Sequence, residues 1–379
     1  MSLPAGPGPA LRLSDAQRLA WLRLIRSENV GPITFRALVN RFGGAEAALD
    51  ALPDLASRGG SKKRIAIASL SSAEAELALA ERLGARFVGL GEPDYPPALR
   101  AADPAPPLLA VMGSAETLLR PSVAMVGARN ASLAGVKFAG HLARGIGEGG
   151  FVVVSGVARG IDAAAHEASL PTGTIGVFAG GLDKPYPNEN RPLMRRIVDG
   201  GGCLVSEMPF GWVPRAIDFP RRNRIVAGLS LGLVVIEAAM RSGSLISARL
   251  AGELGRLVFA VPGSPLDPRA AGTNRLLKDG AILVTEAADV VDALTPLAGG
   301  LPRLPLLPLE EPGSGPATEE PSETERERIL EALGPVPIDL DDLIAFTGAA
   351  PGAVQLVILE LDLAGRIERH SGGRISLLA

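Results

Sequence analysis

From Val123 onward the chain alternates short apolar runs with helical patterns, and this alternation restricts the possible folds more than any other feature. The runs are 123–126, 151–154, 174–178, 203–205, 231–236 and 257–261, all rich in Val, Ile, Leu or Phe. Apolar runs of this length separated by helix-length segments are the pattern of βαβ units, whose parallel sheet must be covered on both faces. A chain of 379 residues that is 47% hydrophobic can bury such a core and carry smaller domains beside it.

The segments after the runs carry the functional signal. They are Gly127-Ala128-Arg129, then Ser155-Gly156-Val157-Ala158-Arg159-Gly160-Ile161-Asp162, Ala179-Gly180-Gly181, Arg241-Ser242-Gly243-Ser244 and Pro262-Gly263-Ser264. In an open parallel sheet all of them lie at the carboxyl edge, where helix N-termini present free N–H groups to ligands. Glycine lets backbone approach a phosphate, and Arg129, Arg159 and Arg241 add positive charge beside three of the loops. Any one of these loops also fits an ordinary tight βα turn; five on one edge, three with arginine, make a binding edge the better reading. No G-x-x-x-x-G-K-[ST] is present, and no G-x-G-x-x-G follows the first strand, so ATP hydrolysis and dinucleotide redox chemistry are disfavoured and no cofactor is expected.

A second signal is Phe219-Pro220-Arg221-Arg222-Asn223-Arg224. Three neighbouring guanidinium groups repel one another, and such a cluster persists around an anion or on a solvated face. The formal net charge is −3, but it is unevenly spread: 120–289 holds 19 Lys and Arg against 14 Asp and Glu, whereas 322–379 holds 5 against 10. A polyanion should meet the middle of the chain and avoid its end.

Together the strings AMVGAR (124–129), VVSGVARGIDAAAH (153–166), YPNEN (186–190), SEMPFG (206–211), FPRRNRIVAGLS (219–230), VIEAAMRSGSLISA (235–248), VPGSP and GTNRLLKDGA (272–281) closely resemble the DprA (Smf) family of DNA-processing proteins. The resemblance is dense over 92–292 and looser at both ends. It implies an extended Rossmann-like domain that binds single-stranded DNA, protects incoming DNA, forms a homodimer and loads RecA during natural transformation, with no reaction of its own.

Single-strand binding needs a positive groove for the backbone and faces for base stacking. Arg129, Arg221, Arg222 and Arg224 are expected to supply the groove, with Asn223 among them. Gly127, Ser155, Gly156, Arg159, Gly160, Arg241, Ser242 and Gly243 are the loop candidates, and Lys184 and Arg191 flank Tyr186 nearby. By resemblance Phe219 is the first choice for stacking; Phe210, Trp212 and Phe219 also fit as core rings.

The expected fold is α/β: an extended Rossmann-like parallel sheet over 87–295, a small helical N-terminal domain over 1–86, a linker over 296–321 and a C-terminal winged helix over 322–379. In the first domain, Ser14 caps a helix, and Asn29-Val30-Gly31-Pro32 turns the chain into a second one at 33–42. Helix, glycine turn and helix resemble helix-hairpin-helix and SAM-like modules, and equally fit a plain bundle. The Pro-rich passage from Glu92 to Pro107 is expected to be an extended connector. Beyond the linker, helical patterns at 323–333, 340–346 and 353–364 precede a hairpin turning at Ser371-Gly372-Gly373. The third pattern, PGAVQLVILELDLAG, carries Glu360 and Asp362 and no Lys or Arg, which opposes major-groove binding and favours an interaction module.

Other polar residues have structural readings. Asp162 and His166 share a helix face and could do acid–base chemistry, or cap and pack. Glu207 and Glu237 end strands without a nucleophile or metal set in sequence. An alternative enzyme, a Rossmann-like nucleotide phosphoribohydrolase, needs P-G-G-x-G-T-x-x-E where this chain has Glu237 to Gly243; an assembly scaffold without DNA is the other alternative. Cys203 is the single cysteine, so no disulfide is possible within the chain. The segment with Pro4, Pro7 and Pro9 lacks an export signal, and the apolar runs are too interrupted to span a membrane. A cytoplasmic location is expected.

Overall fold

A computed structural model describes residues 12–299 and 320–378. The prolines near the N-terminus and most of the expected linker lie outside the described residues. The chain divides into two compact units: one is formed mainly by 76–299, the other by 13–75 together with 320–378.

Helix α1 (Asp15–Ile25) begins in a capping box, Ser14 accepting from the Gln17 amide while Gln17 accepts from the Ser14 amide. Helix α2 (Pro32–Phe42) has proline in its first turn and stops at Gly43 in the left-handed conformation. Helices α3 (Ala45–Arg58) and α4 (Leu70–Arg82) follow. Trp21 and Phe35, both fully buried, meet edge to face 5.1 Å apart between α1 and α2.

The α/β unit runs β1 (Ala85–Gly89), α5 (Pro97–Arg100), β2 (Leu108–Gly113), α6 (Ala115–Leu119), β3 (Ser122–Gly127), α7 (Leu133–Glu148), β4 (Val152–Ser155), α8 (Ile161–Ser169), β5 (Thr174–Val177), α9 (Arg191–Asp199) and β6 (Cys203–Ser206). It continues with α10 (Asp218–Leu229), β7 (Gly232–Ile236), α11 (Gly243–Glu253), β8 (Leu257–Ala260), α12 (Ala271–Lys278), β9 (Ile282–Leu283) and α13 (Ala287–Ala298). The nine strands lie in the order β1-β2-β6-β5-β4-β3-β7-β8-β9. From β6 to β9 every pairing is parallel; β2 joins β6 antiparallel, and β1 joins β2 antiparallel. The extended Rossmann-like sheet is therefore as expected, with the extension on the β6 side.

Side chains alternate across the sheet and feed two cores. Ala124, Val126, Leu233 and Val235 pack with Ile225, Val226 and Ala248 of α10 and α11. Val123, Met125, Val234 and Ile236 pack with Leu142 and Ile146 of α7 and with Val290 and Leu294 of α13. All residues of β4 to β7 are buried, which explains their unbroken apolar sequences.

The passage expected to be an extended connector is more structured than that. Pro97 occupies the first turn of α5, where a missing N–H costs nothing, and the chain then enters β2. Tyr95 anchors it, fully buried with its hydroxyl donating to the Pro106 carbonyl at 2.8 Å.

At the C-terminal end, α14 (Glu323–Ala332), α15 (Leu340–Thr347), α16 (Pro351–Leu363), β10 (Ile367–Arg369) and β11 (Ile375–Leu377) form the winged helix around Ile329, Leu343, Val357, Leu361 and Ile367. Among the described residues no helix is long and apolar enough to cross a membrane.

Candidate nucleic-acid interface

The order in which strands are added reverses at β3: the next strand, β4, pairs on one side and β7 on the other. Loops leaving β3 and β7 therefore diverge and open a crevice at the carboxyl edge. A cavity of about 430 Å³ lies there, lined by Gly127 and Arg129 after β3, Asp162 of α8, Phe219, Arg222 and Asn223 of α10, and Ser242 and Gly243 at the start of α11. These residues come from four separate stretches of sequence.

Helix α10 sorts the arginine cluster. Arg222 shares a face with Ile225, Val226 and Leu229, which are buried in the core, and is itself 6% exposed; Arg221 lies outside, exposed. Burial pushes the Arg222 guanidinium below its usual range; the Asp162 carboxylate opposes this and the Arg129 charge adds to it. Burial also pushes Asp162 upward, against the pull of Arg222 and of the Ala158 and Gly156 amides. The Arg222 Nε has no hydrogen-bond partner among the described residues. Arg129 and Arg222 line the cavity with Asp162 as the one carboxylate among its lining residues, so the cavity has uncompensated positive character on its polar side.

The supporting loop is held tightly. Asp162 Oδ2 accepts from the Gly156 and Ala158 amides at 3.1 and 3.2 Å, and Asn190 Nδ2 donates to the Val157 and Ala158 carbonyls at 2.9 and 3.0 Å. These contacts hold Val157 at φ 57°, a conformation that a β-branched residue rarely adopts. A Cβ at Gly156 would overlap the Arg222 guanidinium, and one at Gly127 would overlap the Ile236 carbonyl. Glycine at both positions thus follows from packing around the cavity as well as from any ligand's approach.

Phe219 stands at the rim, half-buried. The Arg129 guanidinium lies over its ring at 5.1 Å, and Tyr186 meets its edge at 5.7 Å. Ser242 caps α11 by accepting from the Ser244 amide at 3.1 Å, and the Ser244 hydroxyl donates to the Gly127 carbonyl at 3.0 Å, binding the two diverging loops together.

Other sequence candidates are placed elsewhere. Arg224 donates to the Pro104 carbonyl at 2.9 Å and is ion-paired with Glu207. Arg159 pairs with Glu189, Lys184 lies 3.4 Å from Asp183, and Arg241 is exposed outside the cavity lining. Arg191 lines a different cavity with Asp183 and Met194. Ser155 is fully buried, its hydroxyl donating to the Met125 carbonyl at 2.6 Å, and Gly160 at φ 70° packs on the Ala128 carbonyl. Phe210 meets Phe87 edge to face, and Trp212 Nε1 donates to Asp218 at 2.9 Å. The sequence reasoning missed the difference between Arg222 and its neighbours; the i, i+3, i+4, i+7 spacing of 222, 225, 226 and 229 was the available signal.

The groups considered for catalysis are occupied structurally. His166 is buried against the Thr174 hydroxyl at 2.7 Å, and burial, aided by the Arg222 charge, pushes its pKa down to about 3. The imidazole is neutral at physiological pH and a poor general base. Burial pushes the Cys203 thiol up to about 12, which keeps it from forming a thiolate. Glu237 accepts from the Ser132 amide and hydroxyl at the start of α7. Among the described residues no His, Cys, Asp and Glu group could hold a metal ion.

Comparison with known proteins covers the whole of this architecture. Residues 86–295 match the family described as DNA recombination-mediator protein A, 15–78 a DprA-like N-terminal HHH domain, and 314–373 a DprA winged helix domain. Protein Smf of Escherichia coli is 37% identical over 308 residues, 81% of each chain. The X-ray structure of DNA processing protein A from Streptococcus pneumoniae aligns with a TM-score of 0.58 at 33% identity, covering 74% of this chain and 98% of that one. A Helicobacter pylori structure, described as giving insights into the unique single-stranded DNA binding mode of DNA processing protein A, aligns with a TM-score of 0.51 at 30% identity, covering 56% and 97%.

Proposed function

The chain belongs to the DNA recombination-mediator protein A family, and on that premise we propose that its carboxyl-edge cavity binds the backbone of single-stranded DNA. The observation that carries this reading is Arg222: a buried cation whose Nε is unpartnered, beside a second arginine and an open cavity. A buried charge this poorly compensated is stabilised by an incoming anion, and phosphate, like carboxylate, matches the bidentate geometry of a guanidinium.

One phosphate enters between Arg222, Arg129 and the first turn of α11. Arg222 gives a fixed, desolvated contact; Arg129, exposed, gives a steering charge. Asp162 positions Arg222 and holds the loop that makes room for it. Phe219, with Tyr186 at its edge, offers an aromatic face to a neighbouring base, a contact every base can make. A protein that holds a strand this way performs no turnover; it protects the strand and presents it. In the cytoplasm, as a homodimer through the Rossmann-like unit, it would deliver incoming DNA to RecA during transformation.

A fluorescence anisotropy titration with a labelled thymidine oligonucleotide tests the strand-binding core of the proposal. Arg129→Glu should weaken binding more than about tenfold, because it replaces a phosphate contact with repulsion. The thermal midpoint should hold, since Arg129 is exposed. Affinity should also fall steeply as salt rises. Unchanged affinity in the variant, or a flat salt response, would overturn the reading.

A further inference from the structure

We infer that α16, the third helix of the winged helix, is an intramolecular docking surface for the N-terminal helical module and takes no part in reading duplex DNA. In a duplex-reading module this helix keeps one face free for the major groove and arms it with Arg, Lys, Asn or Gln. Here both faces are occupied. Val354, Val357, Ile358 and Leu361 build the core of the winged helix. Leu356, Leu359, Glu360 and Leu363 are buried as well, at the i, i+3, i+4, i+7 spacing of a second face, and α16 packs against α3 and α2.

The contact is close and has direction. A Cβ at Gly59, at the end of α3, would overlap the Glu360 carbonyl, so glycine there permits the approach. Thr34 of α2 donates its hydroxyl to Asp362 at 2.7 Å. Asn29, in the turn before α2, donates to the Leu363 carbonyl at 2.9 Å, and Arg366 donates to the Gly59 carbonyl at 3.2 Å. Arg58 and Glu320 form an ion pair at 2.8 Å. The acids that would repel a phosphate are both engaged: Glu360 by Arg326, and Asp362 by Thr34 and Arg369. Gln355 is the one exposed polar side chain of α16 within its first two turns. Residues 13–75 and 320–378 thus form one folded body, the α/β unit lying between these two segments in sequence.

The test uses the full chain with a specific protease site placed within 300–319. After cleavage, the C-terminal piece should stay with the remainder through gel filtration, at every protein concentration that can be followed. Release of the piece, or retention that fades on dilution as expected for exchange between copies, would overturn the inference. Gly59→Leu in the same cleavable chain should release the piece while oligonucleotide affinity stays within about twofold, since Gly59 belongs to a different folded unit from the cavity residues; continued retention would count against the inference. Gln355→Ala should leave any duplex affinity of the intact chain unchanged, and a clear loss would restore α16 as a reading helix.

Discussion

Arg222 in α10 and Glu360 in α16 are both charges buried within a helix, yet their surroundings differ. Glu360 is 1% exposed, and both its oxygens accept from Arg326, whose side chain is 12% exposed. Arg222 is 6% exposed, faces Asp162, is repelled by Arg129, and borders an open cavity with its Nε unpartnered. The difference separates a charge satisfied within the fold from one that the proposed function assigns to a ligand. A closed pair satisfies itself, whereas an incomplete one gains from an external anion.

The sharpest way to break this contrast is to unbalance the closed pair. Glu360→Leu leaves Arg326 without its partner in a dry interface and should cost about 3–5 kcal/mol of stability, whereas Glu360→Leu with Arg326→Leu should recover most of it. Denaturant melts of the variants measure this. Equal losses in single and double variants would show that the pair does more than compensate itself.

The open site should behave oppositely. Asp162→Asn with Arg222→Met removes both buried charges, so the fold survives better than with Arg222→Met alone, but the phosphate contact is not restored. Oligonucleotide affinity should fall about 10- to 100-fold, the worth of a charge-assisted hydrogen bond of roughly 1.5–3 kcal/mol. Anisotropy and melts on the same samples separate the two effects, and full affinity in the double variant would remove Arg222 from the site.

A smaller effect concerns His166, beside the open site. Its folded pKa of about 3 lies below the usual 6.5, so the unfolded chain binds the extra proton between those values. The stability owed to the neutral ring is complete above pH 6.5 and is lost as pH falls toward 3, at up to about 1.4 kcal/mol per pH unit. His166→Gln should flatten the acid limb of the stability profile relative to the parent; superimposable slopes would show that the ring is not held neutral.

Much of this molecule was legible before its structure. The parallel strands β3 to β8 lie within a residue or two of the apolar runs, because a strand buried on both faces needs an unbroken apolar sequence; the short, exposed β9 had no run to mark it. The five glycine loops, the helix cap at Ser14 and the helix–turn–helix start were visible for equally local reasons. β1 was not: Ala85–Gly89 contains Arg86 and has no apolar run to mark it. Pro97 hid α5, since proline breaks helices everywhere but the first turn. The second face of α16 was visible in principle, because PGAVQLVILELDLAG is apolar nearly all round and such a helix is buried on more than one side; its two acids pointed to an interaction module, though not to the surface it meets.

Periodicity, loop chemistry and motif order therefore established a Rossmann-like sheet with glycine-rich loops at its carboxyl edge, preceded and followed in sequence by small helical modules, because those properties depend on neighbours within a few residues. Which arginine of 221, 222 and 224 turns inward, that Arg224 is held by Glu207 and Pro104, and that Glu360 serves a partner from α14 were decided only in three dimensions. Each depends on groups far apart in sequence meeting where water is excluded, and a buried charge takes its meaning from what those distant groups leave unsatisfied.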